Sequence, residues 1–183
     1  MAYLGIDQAL GCSGIAILGE EGETLLLEVV RTGALTGATR LVRIRDELEA
    51  LLTPHGIRMG SIEGYAYGAV GRSFELGEVG GIVRALLHDL AIPFLVIAPA
   101  ALKKFVSGSP MATKAVMREK TREKWGIDIA EDDACDAYGL ARVARAYVTE
   151  DSTNRHELEV LKKVRASGRT PLGDSRAPRQ FSV

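Results

Sequence analysis

The sequence predicts an α/β protein on a five-stranded mixed sheet, antiparallel on one side, parallel on the other, and flanked by helices. Three features carry this. Three strand-like segments succeed one another at the N-terminus with only turns between them, as in a meander. Strand and helix patterns then alternate, which calls for parallel crossovers. After the fifth strand-like segment only helical spacing remains.

Residues 3–8 (Tyr-Leu-Gly-Ile-Asp-Gln) read as a strand, and Ala9–Ser13, with Gly11, as a turn. Ser13–Leu18 is a second strand, Glu20-Glu21-Gly22 a hairpin turn and Thr24–Val30 a third strand. Leu41, Ile44, Leu48, Leu51 and Leu52 recur at helical spacing over Thr39–Leu52, which ends near Pro54 and Gly56. Met59–Glu63 is a short fourth strand, and Gly64–Ser73 a loop rich in Gly, Ala and Tyr. A helix over Phe74–Ala91 follows, then a fifth strand, Phe94–Ile97, between Pro93 and Pro99. Helical patterns occupy Ala100–Val106, Ala112–Trp125 and Glu131–Val148, the first two separated by Ser107-Gly108-Ser109-Pro110. Residues 1–148 thus read as one domain. Residues 149–183 read as an extension: a short helix through Glu157–Val164, capped by Ser152, then a flexible basic tail rich in Gly, Pro, Arg and Ser.

Composition narrows the function classes. With 46% hydrophobic and 26% charged residues, the chain has the make-up of a soluble globular protein, and no apolar run is long enough to span a bilayer. The N-terminus enters a strand at once, which argues against a secretory signal. The two cysteines, Cys12 and Cys135, are far apart and form no CxxC or Cys/His cluster. A structural zinc site and a disulfide are therefore not expected, and the reading is cytoplasmic. The net charge of −1 hides two opposed blocks. Lys103, Lys104, Lys114, Arg118, Lys120, Arg122 and Lys124 outweigh Glu119 and Glu123 to give +5. Gly126 to Asp136 then carries −5 through Asp128, Glu131, Asp132, Asp133 and Asp136. Two solvated helix faces would produce the same pattern, as would a local phosphate-binding patch beside a cation site.

Four acids draw attention. Asp7 ends the first strand in an apolar stretch, and Glu63 ends the fourth. Parallel neighbouring strands would bring both carboxyl groups to one end of the sheet. Asp133 and Asp136 stand three apart on one helix face, above the apolar Ala134, Ala137, Leu140 and Ala141. Each has an ordinary explanation: an Asx turn for Asp7, an arginine partner for Glu63, the helix dipole for Asp132 and Asp133. Gathered in one cleft they do not. Two like charges about 4 Å apart repel by roughly 4 kcal/mol at an effective dielectric of about 20. Divalent cations remove that penalty. Mg²⁺ favours carboxylate and water oxygens, and two ions flanking a phosphodiester would activate a water and stabilise the leaving oxygen. His55, His88 and His156 sit where they suggest no such role.

Leu4-Gly5-Ile6-Asp7, a turn, and Ser13-Gly14-Ile15-Ala16-Ile17-Leu18 resemble the opening of the RuvC-type Holliday junction resolvases, of the ribonuclease-H-like superfamily. Ile62-Glu63 with its aromatic-bearing loop resembles the second acidic motif, Leu76-Gly77-Glu78-Val79-Gly80-Gly81-Ile82-Val83 the helix after it, and Asp132-Asp133-Ala134-Cys135-Asp136-Ala137 the terminal acidic motif. The likeness spans about residues 3–148. It implies a ribonuclease-H-like fold and Mg²⁺-dependent cutting of four-way DNA junctions, with two Mg²⁺ per active site and Mn²⁺ as a substitute. Asp7, Glu63, Asp133 and Asp136 become the catalytic metal ligands, Asp132 rivalling Asp133. The DNA-contacting lysines fall on Lys103 or Lys104 and on Lys114, with Arg118 on the same basic block. An aromatic of the loop would stack on junction bases; Tyr67 is the choice for the tip, with Tyr65 in the core, and Phe74 lies later. The resemblance also implies a homodimer through the Phe74–Ala91 helix, whose Gly77, Gly80 and Gly81 suit close approach by a second helix or by the chain's own sheet. The C-terminal extension departs from the compact cellular enzymes and leaves cellular and phage origins both open. The same acids would serve a nuclease acting on RNA–DNA hybrids or flaps, and a junction-binding protein without activity could keep the fold. An actin-like or sugar-kinase ATPase shares the opening strand and turn but needs a second domain for which the chain is too short.

Overall fold

The computed structural model describes residues 1–64 and 73–167. Its elements, in chain order, are β1 (Ala2–Asp7), β2 (Cys12–Leu18), β3 (Thr24–Arg31), α1 (Gly37–Leu52), β4 (Ile57–Glu63), α2 (Ser73–Asp89), β5 (Phe94–Ile97), α3 (Pro99–Ser107), α4 (Lys114–Trp125), α5 (Asp132–Thr149) and α6 (Arg155–Ala166). The strands form one sheet in the order β3-β2-β1-β4-β5. The meander pairs antiparallel, and β1–β4 and β4–β5 pair parallel. The predicted mixed sheet is therefore observed.

Side chains alternate across β1, and the two sheet faces bury different partners. Leu4 and Ile6, with Ile15, Ile17 and Ile62, pack under Ile44, Leu48 and Leu52 of α1 and Val79, Val83, Leu86 and Leu87 of α2. On the other face Tyr3, Ala16, Leu18 and Met59 pack against α5 and, around it, α3, α4 and α6. The α5 helix comes very close to the sheet. A Cβ on Gly5 would lie 2.0 Å from the Ala137 carbonyl oxygen, and one on Gly14 would lie 2.0 Å from that of Asp133. Both strand positions admit only glycine, and Ala134, Ala137, Ala141 and Ala144 line the buried side of α5.

Several boundaries differ from expectation. The helix expected over Phe74–Ala91 starts at Ser73 and stops at Asp89, with Ala91 in the left-handed region at φ 53°. The one expected from Ala112 starts at Lys114, because Thr113 accepts a hydrogen bond from Val116 N and ends the preceding turn there. Ser152 does not cap the last helix. Asn154 is the N-cap, and the Ser152 hydroxyl instead donates to Glu157 Oε2 at 2.6 Å. This helix, α6, buries Val160 and Leu161 in the same core as α3 and α5. The basic tail over residues 168–183 lies outside the described residues. Among the described residues no helix is long and apolar enough to cross a membrane.

Candidate active site

The parallel register of β1 and β4 builds the site. Its last pair is Ile6 with Ile62, so Asp7 and Glu63 leave the sheet side by side at the carboxyl ends of adjacent strands. Antiparallel pairing sets Gly14 opposite Asp7. The absent side chain of Gly14 is what lets the first turn of α5, with Asp133, settle over that point. Asp136, one helical turn on, is 7% exposed; Asp7 is 6% exposed.

The electrostatics report the crowding. Burial first, then the charges of Glu63, Asp136 and Asp133, push the Asp7 carboxyl up to about 8, against a smaller pull from Lys114. Burial and the Asp136 charge push Glu63 up to about 7, while Lys114, a hydrogen bond from the protonated Asp7 and Lys103 pull it back. Asp133 is raised by burial and Asp136, against Lys114. Burial lowers the Lys114 pKa, but its hydrogen bond and ion pair to Asp136 outweigh that and raise it overall. The Lys114 Nζ donates to Asp136 Oδ2 at 2.5 Å.

All four predicted acids thus come to one end of the sheet. Asp132, the rival to Asp133, is paired with Arg118 at 3.1 Å. The predicted basic residues divide. Lys103 acts on Glu63 and Lys114 reaches the acids directly. Lys104 pairs with Glu159 of α6 at 2.6 Å, and Arg118 donates to Asp132 Oδ1 and to the Ala130 carbonyl. Lys120 and Lys124 are also paired, with Glu123 and with Glu157. Tyr65 and Tyr67 lie outside the described residues; Phe74, in the first turn of α2, is 91% exposed.

Two residues of the site escaped the sequence reading. Arg31, at the end of β3, forms an ion pair with Glu131 at the α5 N-terminus and ties that end of the helix to the sheet. Gln8 follows Asp7, and its Nε2 donates to the Glu63 backbone carbonyl at 2.9 Å, while its Oε1 is buried without a hydrogen-bond partner among the described residues. A polar residue directly after a strand-end acid was the available signal.

The carboxylate oxygens, with no thiolate or imidazole among the four side chains, fit a hard divalent cation, and Gln8, tied to the Glu63 carbonyl, adds a buried amide oxygen with no partner among the described residues. The acids are oriented toward one another but are not a finished cage. Among the described residues no three His, Cys, Asp or Glu side chains already stand at metal-binding separation. In their present arrangement the positive charge comes from Lys114.

Residues 3–143 match the family described as crossover junction endodeoxyribonuclease RuvC. The family's protein from Thermomicrobium roseum is 32% identical over 147 residues, covering 77% of this chain and 90% of that one. The protein from Anaeromyxobacter dehalogenans (strain 2CP-C) is 31% identical over 145 residues, covering 77% and 78%. Among solved structures, Thermus thermophilus RuvC in complex with Holliday junction substrate superposes with a TM-score of 0.68 at 21% identity, over 77% of this chain and 90% of that one. At that identity the structural likeness establishes the fold, ribonuclease-H-like.

Proposed function

Because this chain belongs to the RuvC family of crossover junction endodeoxyribonucleases, we propose that it resolves four-way DNA junctions by paired cleavage near the branch point. The observation that carries the reading is the β1–β4 register, which sets Asp7 beside Glu63 under the acidic first turn of α5.

In this reading Asp7, Glu63, Asp133 and Asp136 hold two Mg²⁺, for which Mn²⁺ substitutes. Asp7, Glu63, Asp133 and Asp136 would be neutralised by cations bound there, which would supply a more acidic water and compensation for charge on the leaving oxygen. The chain's own side chains do the rest. The elevated pKa of Asp7 and Glu63 leaves them able to share a proton until positive charge arrives. Lys114, released from Asp136, and Lys103 then face the DNA phosphates, so the two contribute affinity without reading sequence. Lys104 and Arg118 have intramolecular partners to give up first, and contribute less. Tyr67 keeps its proposed stacking role on unpaired bases.

Two strands cut symmetrically need two sites related by a two-fold axis, hence a homodimer. Support for α2 as its interface comes from Gly81, where an added Cβ would meet nothing within 4 Å among the described residues, and from the exposed Phe74. Among the described residues, packing does not require glycine at position 81; close approach by a second copy would. Such an enzyme would work where the DNA is, in the cytoplasm.

A single assay tests this. The protein is mixed with a mobile four-way junction, a linear duplex and an RNA–DNA hybrid, each with Mg²⁺, Mn²⁺ or EDTA. The expected result is metal-dependent paired nicks in the junction alone. Cleavage of the hybrid alone would overturn the substrate assignment, and junction binding with no cleavage in any metal would overturn the catalytic one.

A further inference from the structure

The β1–β4 pairing ends at Ile6 with Ile62, one residue before the two strand-end acids, which pair outward instead, Asp7 with Gly14 of β2 and Glu63 with Ile97 of β5. The connection beyond it is a side chain. Gln8 Nε2 reaches across from the end of β1 to the Glu63 carbonyl oxygen of β4, 2.9 Å away. Gln8 is only 9% exposed, and the other half of its amide, Oε1, is buried with no partner among the described residues.

A buried amide oxygen without a donor is costly, and native chains retain few. The surroundings explain what is missing. The strand-end carboxylates, Asp7 and Glu63, accept but do not donate once ionised. Lys114 is held by Asp136 and, in the proposed complex, turns to the DNA phosphates. Among the described residues no donor remains for Gln8 Oε1, and a water bound to a divalent cation would be a strong one. We propose that Gln8 is a positioning residue of the metal-binding end of the sheet. Its amide nitrogen fixes Glu63 beside Asp7, and its amide oxygen accepts a hydrogen bond from the hydration shell of the cation those carboxylates hold. The proposal rests on reading the four carboxylates as a metal site.

The test is a Mn²⁺ titration of the full chain, without DNA, followed by electron paramagnetic resonance. Wild type is compared with Gln8→Met, which keeps length and loses both polar atoms, and Gln8→Asn, which stays polar but is one methylene too short. Both variants are expected to bind Mn²⁺ about tenfold more weakly, the usual scale for losing a group that orients metal ligands. The Mg²⁺ concentration for half-maximal junction cleavage rises by the same factor, and the rate at saturating Mg²⁺ returns toward wild type. A merely structural glutamine would lower the melting temperature in EDTA and leave Mn²⁺ affinity alone. Affinity within about twofold of wild type in the variants, against that expected loss, overturns the proposal. If Gln8→Met does not fold, Gln8→Asn carries the measurement. Failure of wild type itself to bind Mn²⁺ is a different result: it overturns the metal reading, and the role of Gln8 with it.

Discussion

The basic and acidic blocks lie side by side in the chain, yet they end in opposite physical states. The basic stretch from Lys103 to Lys124 largely cancels itself. Lys104, Arg118, Lys120 and Lys124 each settle on an acid of α4, α5 or α6 or on one just before them. The carboxylates do the reverse. Asp7, Glu63, Asp133 and Asp136 converge with Lys114 paired among them and Lys103 nearby, and Asp7 and Glu63 are pushed toward neutrality. Long flexible side chains on helices find partners; short ones at strand ends and in a packed first turn cannot move apart, because backbone register holds them. Uncompensated charge is thus stored where the backbone is rigid.

The sharpest way to break this contrast is to remove the acid most affected. Asp7→Asn is expected to abolish cleavage, at least about a thousandfold for several kcal/mol of lost stabilisation, while junction binding in a gel-shift titration stays largely intact. Retained cleavage would end its assignment as a ligand.

Next is the backbone contact that forces the acids together. Gly14→Ala places a methyl against the Asp133 carbonyl, which must retreat. The expected cost is about 1–3 kcal/mol of stability, seen as a melting temperature lower by several degrees, with cleavage reduced further than stability alone would dictate. An unchanged melting temperature would show that α5 is not seated against Gly14.

A third effect is pH dependence without metal. The folded Asp7 and Glu63 carboxyls titrate near 8 and near 7, well above their ordinary values of 3.8 and 4.5. Between those limits the folded chain binds more protons than the unfolded one, so its stability is greatest in acid and falls as pH rises through 7 to 8. Melting in EDTA should be higher at pH 5.5 than at pH 8.5, by an amount on the order of a few kcal/mol in stability. Mg²⁺ should restore the alkaline value, and Asp7→Asn should flatten the profile. A profile that is flat in EDTA for wild type would contradict the crowding.

The smallest effect separates two neighbours. Lys103→Ala should weaken junction binding and reduce the slope of log K against log salt by about one. Lys104→Ala should lower binding and slope less than Lys103→Ala does and cost under about 1 kcal/mol of stability, as expected for a partly exposed ion pair. Equal slopes for the two variants would mean that Lys104 leaves Glu159 for DNA.

Much of this was legible in the chain. Strand-end acids, a three-residue spacing on a helix and the order of strands and helices are local patterns, and local patterns are written in residue order. The sequence alone therefore pointed to the mixed sheet, to a common end for Asp7 and Glu63 and, by resemblance, to Asp133 and Asp136 beside them. It preferred Asp133 to Asp132 by resemblance alone and could not show that Arg118 holds Asp132, and it left Lys103 and Lys104 level because the pairing of Lys104 with Glu159 of α6 is a tertiary contact. Gly5 and Gly14 were visible as residues but silent as contacts, and Gln8 offered only its place after a strand-end acid. Each of these depends on which atoms meet across the fold, at separations of 22 to 55 residues for Lys114 with Asp136 and Gln8 with Glu63. Chemical type and spacing name the groups that can carry charge; only packing decides which of them have a partner.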